Sequence, residues 1–264
     1  MNKNNYTTVK LGKGEMYVYD FGNIRLHAYR TNDLINDEVF IAEKNGKAVV
    51  LESPCFFDNN AELESYLKDY EVCGMLIAYH DAGGSFLQDV PKYATQNAKD
   101  YGETGGGKAL IDNFTKVFGA AFDGSLHNIA NIINDGKLTL GGMDFVITST
   151  PDAYNVDIPE MNAVYTHMLG HDCHSIVAGS GHADAIIGEL EGHIARGVSL
   201  ILTSHYTPED LKDAQTKIDY ITELKAVAEK CSTAESFKEE VKKLYPEYSG
   251  ENYLDMTAGM FFSK

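Results

Sequence analysis

Positive charge is scarce in this sequence. It has 22 lysine and arginine residues against 39 aspartate and glutamate residues, and its formal net charge is −17. A surface this negative repels phosphate backbones and anionic lipid headgroups, so we expect neither nucleic acid nor a membrane surface as a partner. The acidity identifies no chemistry by itself. The expected partner is a small-molecule substrate, and a homodimer would be unsurprising.

Long apolar runs and closely spaced cysteines are also missing. No stretch approaches the roughly 20 apolar residues that cross a bilayer, and Met1–Lys10 lacks the apolar segment of a signal peptide. The four cysteines are scattered, without a C-x-x-C pair, which favours reduced thiols in a cytoplasmic protein. These cysteines are Cys55, Cys73, Cys173 and Cys231.

A chain of 264 residues can bury one substantial core, so we expect a single domain over residues 1–264. Its first part predicts a meander of four antiparallel strands, because β-branched and aromatic residues alternate between short polar breaks. Asn45-Gly46 is typical of the tight turn between the last two strands. The predicted strands are Glu15–Phe21, Ile24–Arg30, Glu38–Glu43 and Ala48–Glu52.

After Pro54 the pattern alternates between helical periodicity and short apolar runs. Helices are predicted over Asn60–Tyr70, about Lys108–Phe122, His182–Arg196, Thr207–Lys230 and about Thr233–Leu244. Strands are predicted over Cys73–Tyr79, Lys137–Leu140, Met143–Thr148, Asn162–Thr166 and Val198–Thr203. For the helix that begins at Thr207, we expect Thr207 as the cap, Pro208 in the first turn and Asp210 in a capping box. This order predicts an α/β (α+β) fold with a mixed sheet system covered by helices.

Histidines are concentrated in the second half of the chain, where six of the nine lie between positions 167 and 205. His167, His171 and His174 would share one face of a helix; if a strand runs into a loop here, His167 lies at the end of the strand. Either geometry brings together nitrogen ligands of the kind that Zn²⁺, Fe²⁺ and Mn²⁺ bind. The alternative is a set of histidines that bond to the backbone or line a polar cleft.

Two further strand ends carry residues that could take part in chemistry. His205 follows the predicted strand Val198–Thr203, and His80-Asp81 follow Cys73–Tyr79 just before two glycines. Ligands of α/β sheets collect beyond the carboxyl ends of strands, so these residues are candidate metal ligands, or a general base with its partner. The alternative for Asp81 is a turn in which its carboxylate accepts hydrogen bonds from backbone amides.

A glycine run over residues 102–108 nearly matches the phosphate-binding pattern G-x-x-x-x-G-K. Ala109 then stands where a hydroxyl residue would hold Mg²⁺, and Gln96–Tyr101 is too polar to be the buried strand that such a loop follows. We therefore expect a glycine loop beside a cleft rather than a nucleotide site.

The order of these segments, from about Ile24 to Lys230, resembles the metallo-β-lactamase superfamily. Ala48–Pro54 is similar to that family's strand ending in L-I-D-T-G, and Tyr79–Gly84 lies where the family has T-H-x-H-x-D-H-x-G-G. Asn162–His167 is similar to the strand ending in G-D, and Ser199–His205 to the strand ending in P-G-H-G. The resemblance implies an αββα sandwich of two mixed β-sheets flanked by helices, with metal-binding loops at one edge.

The metal motifs depart from that family. Tyr79–Asp81 replaces a motif with four ligands, Thr150–Tyr154 lacks the histidine of the third motif, and His167 replaces the bridging aspartate. The resemblance therefore implies a rebuilt site rather than the usual two-zinc site, with zinc as the first expectation and iron or manganese as alternatives. The predicted metal ligands are His80, Asp81, His167, His171 and His205, and Asp81 is also the predicted catalytic residue.

Three functions remain open from the sequence. The first is a metal-dependent hydrolase that acts through a metal-bound water on a small ester, lactone, thioester or amide. The second is a relative of the same fold that has lost catalysis and serves as a small-ligand binder or sensor. The third is an iron-dependent redox protein of the same fold.

Overall fold

The structure is a computed structural model that describes residues 2–168 and 170–262. The chain forms two compact units. The first runs as far as His167 and also includes Leu200–Pro208, and the second comprises the other described residues. The expectation of a single domain stays a prediction.

An eight-stranded sheet in the first unit begins with the meander. Its strands, in spatial order, are β1 (Thr7–Lys10), β2 (Glu15–Asp20), β3 (Arg25–Arg30), β4 (Glu38–Lys44), β5 (Lys47–Leu51), β6 (Glu71–Leu76), β7 (Lys92–Ala94) and β8 (Asn131–Ile132). The first five pair antiparallel and the rest join in parallel. Asn45 and Gly46 both have positive φ, at 55° and 79°, which confirms the predicted tight turn.

A six-stranded sheet is also mixed. Its strands are β9 (Gly136–Leu140), β10 (Met143–Ser149), β11 (Tyr154–Ile158), β12 (Ala163–Tyr165), β13 (Leu200–Thr203) and β14 (Tyr206–Glu209). The strands β9 to β12 pair antiparallel, and β12 pairs parallel with β13. This parallel pair places the residues that follow β12 and β13 at the same edge of the sheet.

One apolar core joins the two sheets. Val49 and Met75 from the first sheet and Phe145, Val156 and Leu200 from the second are all buried in it. In β10 and β11 buried positions alternate with half-buried ones, which is the pattern of strands with one face on a core. The predicted pair of mixed sheets is confirmed.

The described residues of the first unit include the α-helices α1 (Phe57–Leu67), α2 (Gln96–Thr104) and α3 (Gly106–Phe118). The sequence did not predict α2, because its polar residues bury only Ala98 and Gly102 and leave no clear apolar stripe. The predicted helix to Phe122 ends early, because Gly119 adopts a φ of 57° and breaks the helical path.

The second unit is helical. Its helices are α4 (Ser180–Arg196), α5 (Leu211–Lys230), α6 (Ala234–Leu244) and α7 (Glu251–Phe262), around a core that includes Tyr220, Leu224, Phe237 and Leu254. The predicted helix start at Thr207 was wrong: Thr207 and Pro208 lie in β14. Asp210 is the N-cap of α5 and forms a capping box with Asp213. Among the described residues, no helix combines the length and the apolar character needed to span a bilayer.

Candidate metal centre

Three histidines from three strand ends meet in the first unit. His80 follows β6, His167 follows β12 and His205 follows β13. The ring centroids lie 5.1 Å apart for His80 and His167, 5.0 Å for His80 and His205, and 5.2 Å for His167 and His205. One nitrogen from each ring lies within 4.8 Å of the other two. We call these three residues the histidine cluster.

The His167 ring is held on its edge and on its face. Its Nδ1 lies 2.9 Å from the hydroxyl of Ser204, which also bonds to the hydroxyl of Tyr165. The ring of Tyr79 stacks on it with a centroid distance of 3.6 Å and an angle of 14°. Because Nδ1 is engaged by Ser204, Nε2 is the nitrogen left to ligate a metal.

Asp37 is a site residue that sequence analysis missed. Its side chain is 1% exposed, and one carboxylate oxygen lies 3.2 Å from Nδ1 of His205 and 3.8 Å from Nδ1 of His80. Its partners among the described residues are these two imidazoles and the thiol of Cys55. A buried carboxylate needs a cation to offset its lost hydration, so Asp37 indicates positive charge at the cluster. Asp37 and His80 also form a second candidate ligand group with the buried thiol of Cys55.

The electrostatics of the cluster favour neutral imidazoles at two of its three positions. Burial lowers the pKa of His80 to about 4, and burial together with the two neighbouring imidazoles lowers the pKa of His167 well below its usual range. Burial would also lower the pKa of His205, but Asp37 outweighs it and raises that pKa. Burial would raise the pKa of Asp37, but His80 and His205 outweigh it and lower that pKa. Neutral imidazole is the form that ligates metals.

No protein-family model matches the sequence, and no curated protein matches it. Solved structures do match. A metallo-beta-lactamase family protein from Thermus thermophilus is similar over 90% of this chain and 91% of its own, with a TM-score of 0.62 and 12% identity. A metallo-beta-lactamase from Erythrobacter litoralis is similar over 82% of this chain and 100% of its own, with a TM-score of 0.57 and 12% identity.

The chain has the metallo-β-lactamase fold. The sec-alkylsulfatase Pisa1 from Pseudomonas sp. also shares this fold, with a TM-score of 0.61 and 14% identity over 90% of this chain. The chain covers 49% of that sulfatase, about half its length. The predicted resemblance is therefore confirmed at the level of the fold, and the structures that share it include hydrolases.

Within this metallo-β-lactamase fold, Glu52 fixes the backbone that carries His80. Its buried carboxylate accepts hydrogen bonds from the amides of Tyr79 and His80, both at 2.9 Å, and from the hydroxyl of Tyr165 at 2.6 Å. Burial raises the pKa of Glu52 to about 7, although these three donors oppose the rise. Glu52 has a φ of 66°, a left-handed backbone that is uncommon outside glycine, and this turns the chain at the end of β5.

Asp81 lies beside His80 in the sequence, but the structure does not bring it into the histidine cluster. Its side chain is 2% exposed, and one carboxylate oxygen accepts a hydrogen bond from the amide of His127 at 3.2 Å. Helix α2 packs against it so closely that a Cβ at Gly102 would lie 2.6 Å from the Cβ of Asp81. Burial raises the pKa of Asp81 to about 7. Its predicted roles as ligand and catalytic residue stay predictions.

His171 lies in the second unit of the fold, between two buried carboxylates. Its Nδ1 is 2.7 Å from Glu209 and its Nε2 is 3.5 Å from Asp213. The hydrogen bond to Glu209 raises the pKa of His171, against partial burial, and the charges of Glu209, Asp213 and Asp172 add to the rise. These contacts form an ion pair when His171 is protonated, and the three residues are also a candidate metal-ligand group, so the predicted role of His171 as a ligand stays a prediction.

Replacing His171 with glutamine should destabilise the protein more in mild acid than in mild alkali. A raised pKa means that the protonated ring stabilises the fold fully below its unfolded pKa of about 6.5, and that this stability is lost as pH rises through the folded pKa. Because 24% of the His171 side chain is exposed, we expect the free energy of unfolding to fall by only about 1–2 kcal/mol near pH 6 and by less at pH 9. Denaturant unfolding at both pH values measures it, with the exposed His182→Gln as control. An equal loss at both pH values would contradict the ion pair.

Proposed function

We propose that the protein is a metal-dependent hydrolase in which His80, His167 and His205 hold one divalent cation. The observation that carries this proposal is that one nitrogen of each ring, Nδ1, already lies beside a protein group. Nδ1 of His80 and of His205 faces Asp37, and Nδ1 of His167 faces Ser204. Metal-ligating histidines are usually oriented in this way by a group on the nitrogen that does not bind the metal.

The donor set fits a catalytic ion rather than a structural one. Three imidazoles suit zinc, and a site with three protein ligands leaves a coordination position for water or substrate. Iron and manganese are also compatible with imidazole donors. A divalent cation supplies a bound water of lowered pKa and polarises the oxygen of a substrate carbonyl or phosphoryl group.

The residues around the three histidines orient the site. Asp37 lies beside Nδ1 of two imidazoles, Ser204 contacts the third, and Glu52 fixes the loop that carries His80. The buried negative charge of Asp37 also offsets part of the charge of a bound cation. These residues therefore set the orientation of the ligands before a cation binds.

The substrate class we propose is a small ester, lactone, thioester or amide. The formal charge of −17 disfavours nucleic acid, and the same fold serves in an alkylsulfatase and in a metallo-beta-lactamase, which are both hydrolases. The inactive binder or sensor of the same fold remains the rival, and turnover separates the two.

Chelation should abolish turnover, and re-addition of zinc, manganese or iron should restore it. The chelated protein, each reloaded form and the untreated protein are assayed on ester, lactone, thioester and amide panels. At a free metal concentration about 100-fold above Kd, reloading should also stabilise the fold by about 2.7 kcal/mol.

Two outcomes would contradict the hydrolase proposal in different ways. Turnover that survives chelation would show that the reaction does not need the cation. Metal binding with no turnover on any substrate class would favour the binder. His182→Ala, which changes an exposed histidine on α4, is the control for nonspecific metal binding.

A further inference from the structure

The glycines at the start of α3 have a packing role that their sequence pattern does not reveal. A Cβ at Gly106 would lie 2.9 Å from Cε2 of the Tyr101 ring, and a Cβ at Gly107 would lie 2.9 Å from its Cδ1. Real Cβ atoms almost never approach this closely, so a side chain at either position would push the ring away. The two glycines therefore form the surface on which the Tyr101 ring rests.

Tyr101 in turn contacts the residue that covers His167. Its hydroxyl lies 2.9 Å from the hydroxyl of Tyr79, and the two ring centroids are 5.2 Å apart. The ring of Tyr79 stacks on His167 at 3.6 Å and 14°. A continuous series of contacts thus runs from the glycine run through Tyr101 and Tyr79 to a member of the histidine cluster.

We propose that Tyr79 and Tyr101 are a positioning pair for His167. Ser204 bonds to the edge of the His167 ring but leaves its plane free to tilt about that bond. Parallel stacking at 3.6 Å prevents such a tilt, because a tilted ring would clash with Tyr79. Tyr101 fixes Tyr79 through the hydroxyl bond, and the glycine run fixes Tyr101. This inference rests on the proposed function, because the pair serves to aim Nε2 of His167 at the cation.

Four variants separate the parts of this arrangement. Tyr79→Leu removes the stacked ring, whereas Tyr79→Phe keeps the ring and loses only the hydroxyl bond. Tyr101→Leu removes the support of Tyr79. Gly106→Ala should displace the Tyr101 ring, although alanine favours a helix more than glycine does. Its matched control is Gly192→Ala on α4, where nothing lies within 4 Å of the added Cβ.

Cobalt(II) affinity and the visible spectrum of the cobalt-loaded protein measure the geometry of the ligands. Loss of an outer partner of a metal ligand typically weakens binding about 10- to 100-fold, and we expect a loss of this size in Tyr79→Leu. Tyr101→Leu, Gly106→Ala and Tyr79→Phe should give smaller losses, because each keeps the stacked ring at position 79 but weakens its support. Tyr70→Leu is the control, because Tyr70 packs edge-on against His27, a histidine outside the cluster, at 5.7 Å.

Proton NMR of the metal-free protein tests the pair without any metal or activity. The stacked ring of Tyr79 should shift the carbon-bound protons of His167 upfield, and Tyr79→Leu should remove this shift while Tyr79→Phe keeps it. An unchanged His167 spectrum and unchanged cobalt affinity in Tyr79→Leu would overturn the positioning pair. If the unaltered protein binds no cobalt, the proposed function fails, while the NMR result still decides whether Tyr79 positions His167.

Discussion

His205→Ala should weaken metal binding at least about 100-fold and reduce turnover by a similar factor. Loss of a residue that only bonds to a metal ligand typically weakens binding about 10- to 100-fold, and loss of the ligand itself should weaken it at least as much. The substitution removes one of the three proposed ligands and also removes the imidazole that lies 3.2 Å from the buried carboxylate of Asp37. His80→Ala and His167→Ala should have effects of the same order. Equilibrium metal titration and steady-state kinetics measure the two losses.

The exposed His182→Ala is the matched histidine control, and it should change neither quantity. A cluster variant that binds metal as tightly as the unaltered protein would show that its imidazole is not a ligand. Loss of turnover with unchanged metal affinity would place the cation elsewhere and give the histidine another role. Far-ultraviolet circular dichroism of each variant would show that it is folded.

Glu52→Ala should destabilise the metal-free protein by about 3 kcal/mol or more. The substitution removes the acceptor of three donors, two of them half-buried amides and one a buried hydroxyl, and each buried group left unsatisfied costs about 1–3 kcal/mol. These donors are the amides of Tyr79 and His80 and the hydroxyl of Tyr165. Alanine keeps the Cβ at a φ of 66°, so the backbone strain is the same in both proteins and the loss reports the carboxylate.

Denaturant unfolding of the metal-free protein measures this loss. Glu52→Gln is the graded comparison, because its amide oxygen can still accept hydrogen bonds, and it should lose less stability than Glu52→Ala. Glu239→Ala, at an exposed position of α6, should change stability by less than about 0.5 kcal/mol. A loss in Glu52→Ala no larger than that of Glu239→Ala would contradict the role given to Glu52.

Strand ends are the part of the site that could be predicted from the sequence. His80, His167 and His205 each follow an apolar strand. The parallel pair β12–β13 brings the ends that carry His167 and His205 to one edge, whereas His80 follows β6 of the other sheet. The apolar runs and turn residues that define those strands are local signals, so they can be recognised without knowing the fold. The two-sheet architecture could be predicted for the same reason.

Asp37 could not be found in this way, because its position depends on a contact between distant parts of the chain. The amide of Glu38, at the start of β4, donates to the carbonyl of Ser204, just after β13, at 2.6 Å. This contact brings Asp37 beside His205. The only local signal was an acidic residue directly before a buried strand, which many surface turns also show.

Nearness in sequence does not bring Asp81 and His171 into the histidine cluster, although their predicted roles stay predictions. Asp81 follows His80, yet its carboxylate accepts from the amide of His127 and packs against α2. His171 lies in the same histidine-rich segment as His167, yet its ring pairs with Glu209 and Asp213. Spacing along a loop does not fix the direction of its side chains, because no periodic backbone constrains them.

X-ray diffraction from metal-loaded crystals, with data collected on both sides of the absorption edge of the metal, tests the central claim most directly. The account predicts one anomalous peak bonded to a ring nitrogen of each of His80, His167 and His205, with Nδ1 of His80 and His205 still turned toward Asp37. Metal-loaded crystals with no peak among these three rings, or with rings that point away from one another, would contradict it.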